Sequence, residues 1–124
     1  MEEKIQTAKN LIAEADAIVI GAGAGLSSAA GLHYGGERFR QYFSDYMERY
    51  GLTDMYSSAF YPFTSPEEKW AYWSRHIYYN RYDQPAGTAY TQLLSLVKER
   101  NYFVITTNVD HQFSLAGFEE SRIF

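Results

Sequence analysis

Ala17-Ile18-Val19-Ile20 runs directly into Gly21-Ala22-Gly23-Ala24-Gly25-Leu26-Ser27-Ser28-Ala29-Ala30-Gly31. The first four residues are apolar without interruption, the pattern of a strand buried on both faces of a parallel sheet. The segment that follows carries no charge and is broken by four glycines. Glycine lets a backbone turn tightly and lets another group come close to its N–H. A helix opening at Leu26 or Ser27 would aim its free N–H groups and the positive end of its dipole at one point, which favours a phosphate. A nucleotide pyrophosphate is the ligand this suggests. Close packing of helix on strand is the competing explanation for the same glycines, and the segment alone leaves both open.

The spacing excludes the better-known phosphate loops. Glycines at 21, 23, 25 and 31 do not give G-x-G-x-x-G from Gly21 or Gly23. No Gly-Lys-Ser/Thr follows, and Lys4, Lys9, Lys69 and Lys98 lie elsewhere, so this is not a Walker A loop. Ser27 and Ser28 lack the flanking glycines of a nucleophile elbow.

Composition narrows the class. A chain of 124 residues fits one domain with a real core. A net charge of −4 argues against a nucleic-acid partner, which would call for a basic surface. The absence of cysteine removes disulfides, thiol nucleophiles and cysteine–zinc sites. Met1-Glu2-Glu3-Lys4 does not read as a signal peptide, and no apolar run approaches the roughly 18 residues of a membrane span. A soluble, cytoplasmic protein is expected. Of its 22 aromatic residues, 16 lie between Tyr34 and Tyr82. Without a basic excess, that cluster reads as a helical segment packed by large amphipathic rings, bordering a groove, rather than as a base-stacking surface.

Periodicity predicts an amphipathic helix over 3–15 with Ile5, Ala8, Ile12 and Ala15 on one face, and a strand over 17–21. A helix is predicted over 35–50, with Phe39, Tyr42, Phe43, Tyr46 and Tyr50 at helical spacing, then an irregular stretch over 51–65. Ser65, Pro66 and Glu68 form a capping-box signature for a helix running to about Asn80. A helix over 86–99 follows, with Lys98 and Arg100 near its negative end. Residues 102–106 read as a second buried strand. A short helix runs from Asp110 to Gly117, and residues 122–124 begin a third strand. Helices alternating with buried parallel strands give an α/β, Rossmann-like parallel sheet with an aromatic-rich helical insertion (35–82), incomplete at the C-terminus. Ligands of such sheets bind at the carboxyl ends of the strands. That rule brings the glycine loop beside Thr106-Thr107-Asn108-Val109-Asp110.

The two loops together resemble the sirtuins, NAD-dependent protein deacylases and ADP-ribosyltransferases. The family's G-A-G-I-S-x-x-A/S-G-I matches Gly23-Ala24-Gly25-Leu26-Ser27-Ser28-Ala29-Ala30-Gly31-Leu32, and its T-Q-N-I-D matches Thr106-Thr107-Asn108-Val109-Asp110 with Thr107 in place of glutamine. Pro85 and the Leu93-Leu94 helix resemble its P-x-x-x-H-x-x-L-x-x-L helix, with Ala89 in place of histidine. The resemblance implies NAD as cosubstrate, held by Gly23, Ala24, Gly25, Ser27, Arg38, Thr107, Asn108, Val109 and Asp110. Ala24, Gly25 and Ser27 would hold the phosphates, Asn108 would orient the nicotinamide ribose, and Asp110 would accept a hydrogen bond from the carboxamide. Asn108 and Asp110 are the catalytic candidates; read without the resemblance, both are equally ordinary helix caps.

The chain departs from the pattern at His33-Tyr34-Gly35-Gly36-Glu37-Arg38-Phe39, where most sirtuins have P-D-F-R. That stretch looks like the macrodomain-linked sirtuins of microbes, which implies ADP-ribosylation of an acylated or lipoylated carrier protein rather than deacetylation. Arg38 would then meet a phosphate or the acceptor, with Arg40 as its competitor. His33 reads as a surface or loop-packing residue and His76 as a structural one, and His111 falls where the family has no base. The family's base and zinc cysteines follow its third strand, so residues 1–124 are expected to be the N-terminal part of one NAD-binding domain, with no zinc site in this chain and little activity alone. A non-catalytic binding remnant, associating through its aromatic segment or an open sheet edge, is the alternative.

Overall fold

A computed structural model describes residues 1–124. Strands β1 (Ile18–Ala22) and β2 (Tyr102–Thr106) pair in parallel, with Ile18 opposite Tyr102 and Ala22 opposite Thr106. On the far side of β2, Ile123 makes a parallel bridge to Val104. Phe124 N–H donates to Val104 O (2.9 Å), and Thr106 N–H donates to Phe124 O (2.8 Å). The strand expected at 122–124 is thus present as a bridge after a 3-10 turn, Glu120–Arg122, and β2 lies between two parallel neighbours.

One face of the sheet is covered. Helices α2 (Ala24–Ala29), α6 (Thr88–Val97) and α7 (Gln112–Ala116) enclose a core of Ile20, Tyr90, Val97, Tyr102, Val104, Phe113 and Phe118. Burial on both faces, expected from the unbroken apolar runs, does not occur. Alternate residues of each strand point outward, leaving Val19 64% and Ile105 58% exposed. Helix α1 (Glu2–Glu14) buries no residue, so its predicted apolar stripe at Ile5 and Ile12 faces outward. It is held instead at its C-terminal end: the Arg100 guanidinium donates to the carbonyls of Ile12, Ala13 and Ala15 at 2.7–3.1 Å. Arg100, expected to serve the end of α6, caps the orphan carbonyls of α1 because it lies beyond α6 and reaches back across the sheet end.

The aromatic residues build a second core. Helix α3 (Gly36–Tyr50) bends at Phe43 (φ −136°, ψ 23°) and stops at Gly51, which is left-handed at φ 68°. Phe39, Phe43, Tyr46, Leu52, Met55 and Tyr72 are buried together, with Phe39 stacked on Phe43 at 5.1 Å. The stretch read as irregular contains a short helix, α4 (Met55–Ser58), capped by Asp54 on Ser57 N–H at 2.8 Å. Helix α5 (Pro66–Ile77) starts as predicted, with Ser65 accepting from Glu68 N–H. The reciprocal half of the box is not made. The Glu68 carboxylate accepts from Tyr50 Oη (2.9 Å), Arg49 (3.2 Å) and the Thr64 hydroxyl. After Ile77 the chain widens into a π-helical turn, Tyr78–Tyr82, closed by Asp83 N–H on Tyr78 O (2.8 Å). Such turns break the helical register and re-aim side chains; here the turn carries Asn80, which bonds to Arg38 and Met55 within the helical segment, and leads to Gln84, which donates to Asp110 O in the loop after β2 (3.1 Å).

Candidate functional site

The cleft lies where the carboxyl ends of β1 and β2 meet the helical segment. It encloses about 250 Å³ and is lined by Ala24, Ser27, Ser28 and Leu32 from the glycine loop and its helix, and by Thr107, Asn108, Val109 and Asp110 after β2. Tyr34, Asn80 and Gln84 close it from the helical side.

Backbone geometry puts the first loop in place. Helix α2 begins at Ala24, two or three residues before the expected start, and Gly23 stands at its N-cap with extended backbone. Its far end is a Schellman turn: Gly31 (φ 88°) is left-handed, Leu32 N–H donates to Ser27 O (2.9 Å) and Gly31 N–H to Ser28 O (3.0 Å). A Cβ placed on Gly21, Gly23 or Gly25 would meet nothing within 4 Å. Close packing within this chain therefore does not account for those glycines. Gly87 is the position where packing does demand glycine, since a Cβ there would lie 2.4 Å from Ala30 Cβ.

Side chains tie the two loops together. Thr106 Oγ1 donates to Ala22 O (2.9 Å) and accepts from Asn108 N–H (3.0 Å), fixing the turn after β2. Asn108 Nδ2 donates to Gly23 O (2.9 Å) and reaches Tyr90 Oη (3.2 Å) and Ser27 Oγ (3.3 Å). Ser27 Oγ donates to Asp110 Oδ2 and lies 2.7 Å from Tyr90 Oη. Asp110 Oδ1 accepts from Gln112 N–H (3.2 Å) alongside the Ser27 contact, but the N-cap of α7 is His111, which makes no side-chain cap, and Asn108 caps no helix. Burial pushes the Tyr90 phenol up, opposed by its hydrogen bonds with Ser27 and Asn108 and reinforced by the nearby Asp110 charge. His111 holds the left-handed region (φ 62°) immediately after Asp110, a strained position for a residue with a side chain. Its Nδ1 lies 3.4 Å from the Arg81 guanidinium, which also donates to Val109 O (2.8 Å).

Six of the sequence-derived residues line the cleft together: Ala24, Ser27, Thr107, Asn108, Val109 and Asp110. Gly23 is joined to it through Asn108, whereas Gly25 and Arg38 do not line it. The Arg38 guanidinium is half-buried behind the wall, donating to Tyr79 O and Asn80 Oδ1 (both 2.8 Å) and to His33 O (3.3 Å); burial lowers its pKa. Arg40 is on the surface beside Glu37. His76 is buried against Tyr34, Tyr72 and Trp73, in keeping with a packing role.

Sequence reasoning missed Tyr90, Gln84 and Asn80. Tyr90 follows Ala89 in α6 and belongs to no motif, so a lone tyrosine in a helix carried no signal beyond that of a core residue. Gln84 and Asn80 are brought in by the π turn, which left no mark in the periodicity. No group of three or more histidine, aspartate or glutamate side chains gathers in a way that could hold a metal ion.

No family model matches the chain. Over its full length it is 45% identical to a protein ADP-ribosyltransferase of Staphylococcus aureus and spans 40% of that protein. A probable bifunctional ADP-ribose hydrolase/ADP-ribosyltransferase of Fusarium oxysporum f. sp. cubense is 32% identical over 96% of this chain, which spans 20% of it. The chain thus covers less than half the length of either relative, and it is homologous to part of a protein ADP-ribosyltransferase.

Proposed function

We propose that this chain supplies the NAD-binding wall of a sirtuin-like, NAD-dependent protein ADP-ribosyltransferase. The observation that carries the reading is the Ser27–Asp110 hydrogen bond, which joins the glycine loop after β1 to the loop after β2 at the sheet edge where such folds take ligands. Homology to an ADP-ribosyltransferase supports NAD as the substrate consumed. The cleft, at about 250 Å³, is below the usual ~300–1,000 Å³ of small-molecule pockets, so it suits the nicotinamide ribose half of NAD rather than the whole dinucleotide.

In this reading the N–H groups of Ala24 and Gly25 face the phosphates, Asn108 orients the ribose and Asp110 accepts from the carboxamide. The glycosidic C–N bond breaks, nicotinamide leaves with the bonding pair as a neutral molecule, and a nucleophile on the acceptor bonds to the ribose carbon. Positioning and electrostatics supply the catalysis. An acylated or lipoylated carrier protein in the cytoplasm is the acceptor proposed; acyl-lysine removal is the other outcome open to the same first step.

Two experiments test this. Calorimetric titration of the chain alone should give no NAD affinity tighter than about millimolar, and a micromolar constant refutes the reading that this chain supplies one wall of the site. Exchanging the matching 40% of the S. aureus relative for this chain should preserve transfer of labelled ADP-ribose in the hybrid. A folded hybrid without transfer overturns the assignment. The non-catalytic alternative draws its support from the exposed sheet face around Val19 and Ile105.

A further inference from the structure

The Cα of Asp110 joins two peptide planes, and both are held from outside the loop. Val109 O, in the plane before it, accepts from the Arg81 guanidinium at 2.8 Å. Asp110 O, in the plane after it, accepts from Gln84 Nε2 at 3.1 Å. A trans peptide is rigid, so the soft angles of a residue are the φ and ψ between its two planes. Fixing both planes therefore fixes φ and ψ of Asp110, and with them the direction in which its side chain leaves the backbone. Ser27 then holds the carboxylate itself. A weaker Arg81 contact continues past Asp110 to His111 Nδ1 at 3.4 Å; a guanidinium only donates, so that nitrogen is the acceptor.

Both donors come from one place. Arg81 sits in the π turn Tyr78–Tyr82, and Gln84 lies two residues beyond it. The Gln84 amide donates to Asn80 O, a carbonyl at the end of the turn, and to Asp110 O. Its orientation is forced, because the reverse would turn an oxygen toward two carbonyls. The consequence is Gln84 Oε1, the one buried side-chain polar atom of the chain with no partner. Such an orphan is costly; it comes with using both N–H groups of the amide to join the turn to the loop. π turns are frequent at functional sites, and this one directs two donors at successive carbonyls beside a residue of the cleft.

We infer that Arg81 and Gln84 are positioning residues: a two-point clamp from the aromatic helical segment that sets the backbone of Asp110 and so the placement of its carboxylate. Thr106 and Asn108 fix the earlier half of the loop from the sheet side. The sheet thus places Asn108, and the helical segment places Asp110. The inference rests on the ADP-ribosyl transfer reading for its catalytic consequence but not for the clamp.

NMR relaxation on the 124-residue chain tests the clamp directly. Arg81→Met with Gln84→Met removes both donors and the orphan oxygen together. The amides of Asp110 and His111, which belong to the two planes, should drop from the ~0.85 order parameter of rigid backbone to below ~0.6, while β1 and β2 keep theirs. Arg81→Lys retains a donor for Val109 O and should leave both amides rigid. Arg81→Met alone, at a half-buried position, gives the same readout in part if the double variant does not fold. Amides that stay rigid without Arg81 overturn the clamp. In the hybrid with the S. aureus relative, Gln84→Met should lower kcat for ADP-ribose transfer by up to ~100-fold, the scale of a misplacement of about 1 Å, with KM for NAD little changed. Unchanged transfer in a variant whose Asp110 loop has loosened overturns the positioning role. An unaltered hybrid that folds but is inactive removes the transfer reading instead, and the relaxation data alone then decide the clamp.

Discussion

Gly87 stands where any Cβ would lie 2.4 Å from the Cβ of Ala30. Helices α2 and α6 touch at this point, and Gly87 N–H also donates to Gln112 Oε1 at 2.7 Å. Gly87 is the N-cap of α6, which begins at Thr88. Gly87→Ala should destabilise the chain by about 1–3 kcal/mol, the usual cost of overpacking, as measured by urea denaturation. Ala30→Gly in the same molecule should recover part of the loss, because the two positions are in contact. An unchanged midpoint in Gly87→Ala would mean the helices have room to part.

Gly25 poses the opposite case. A methyl group there meets nothing, and the position is helical. Gly25→Ala should therefore stabilise the fold by about 0.5–1 kcal/mol. If the N–H groups of this turn face a phosphate, the same methyl group should weaken NAD binding in the hybrid protein. A variant that is more stable and binds NAD as well as wild type would remove the phosphate from this turn.

These two glycines also mark what could be read from residues alone. The Gly21–Gly31 pattern and the Thr106–Asp110 pattern are local, so the loops and their meeting point followed from topology. Ser65-Pro66 announced its helix because a cap acts within one turn. The failures are non-local. Outward exposure of Val19 and Ile105 depends on what covers the second sheet face, and an unbroken apolar run looks the same either way. Arg100 left its own helix for α1, a choice set by three-dimensional reach. The π turn at Tyr78–Tyr82 gave no periodic signal, and with it went Asn80 and Gln84.

The exposed sheet face makes association testable. Val19 lies opposite Phe103, whose ring is 6.1 Å from that of Phe124 (68% exposed), and with Ile105 they leave an apolar strip on the uncovered face. The isolated chain should self-associate with rising concentration in light scattering after size-exclusion chromatography. Val19→Thr with Ile105→Thr keeps β-branched shape and should shift the population toward monomer. A monomer at all concentrations in the unaltered chain would discount the strip as an association surface.

His76 should make stability depend on pH. Burial, then the Arg38 charge, lowers its pKa below the ordinary 6.5, while Tyr34, Tyr72 and Trp73 surround the ring. The unfolded chain takes up the proton first as pH falls, so the folded state loses stability below about pH 6.5 until the folded group also titrates. Above that pH the effect is absent. His76→Gln should flatten this acid limb in denaturation curves taken between neutral and mildly acid pH. An identical limb in the variant would assign it to carboxylates such as Asp45, whose pKa is held low by its hydrogen bond from Arg75.

Asp110 separates a structural from a chemical role most sharply. Its two oxygens accept from Ser27 Oγ and from Gln112 N–H. Asp110→Asn keeps the size but can offer an acceptor to one of them only, and it turns a donor toward the other. The stability cost should be about 1 kcal/mol, one hydrogen bond's worth. In the hybrid protein the same change should lower ADP-ribose transfer at least ~100-fold, the scale seen when one electrostatic partner of a transition state is removed. Ser27→Ala breaks one of the same contacts and leaves the carboxylate in place. It should cost similar stability but much less transfer. Equal losses of transfer in the two variants would mean that the Ser27–Asp110 pairing, rather than the carboxylate, is what the reaction requires.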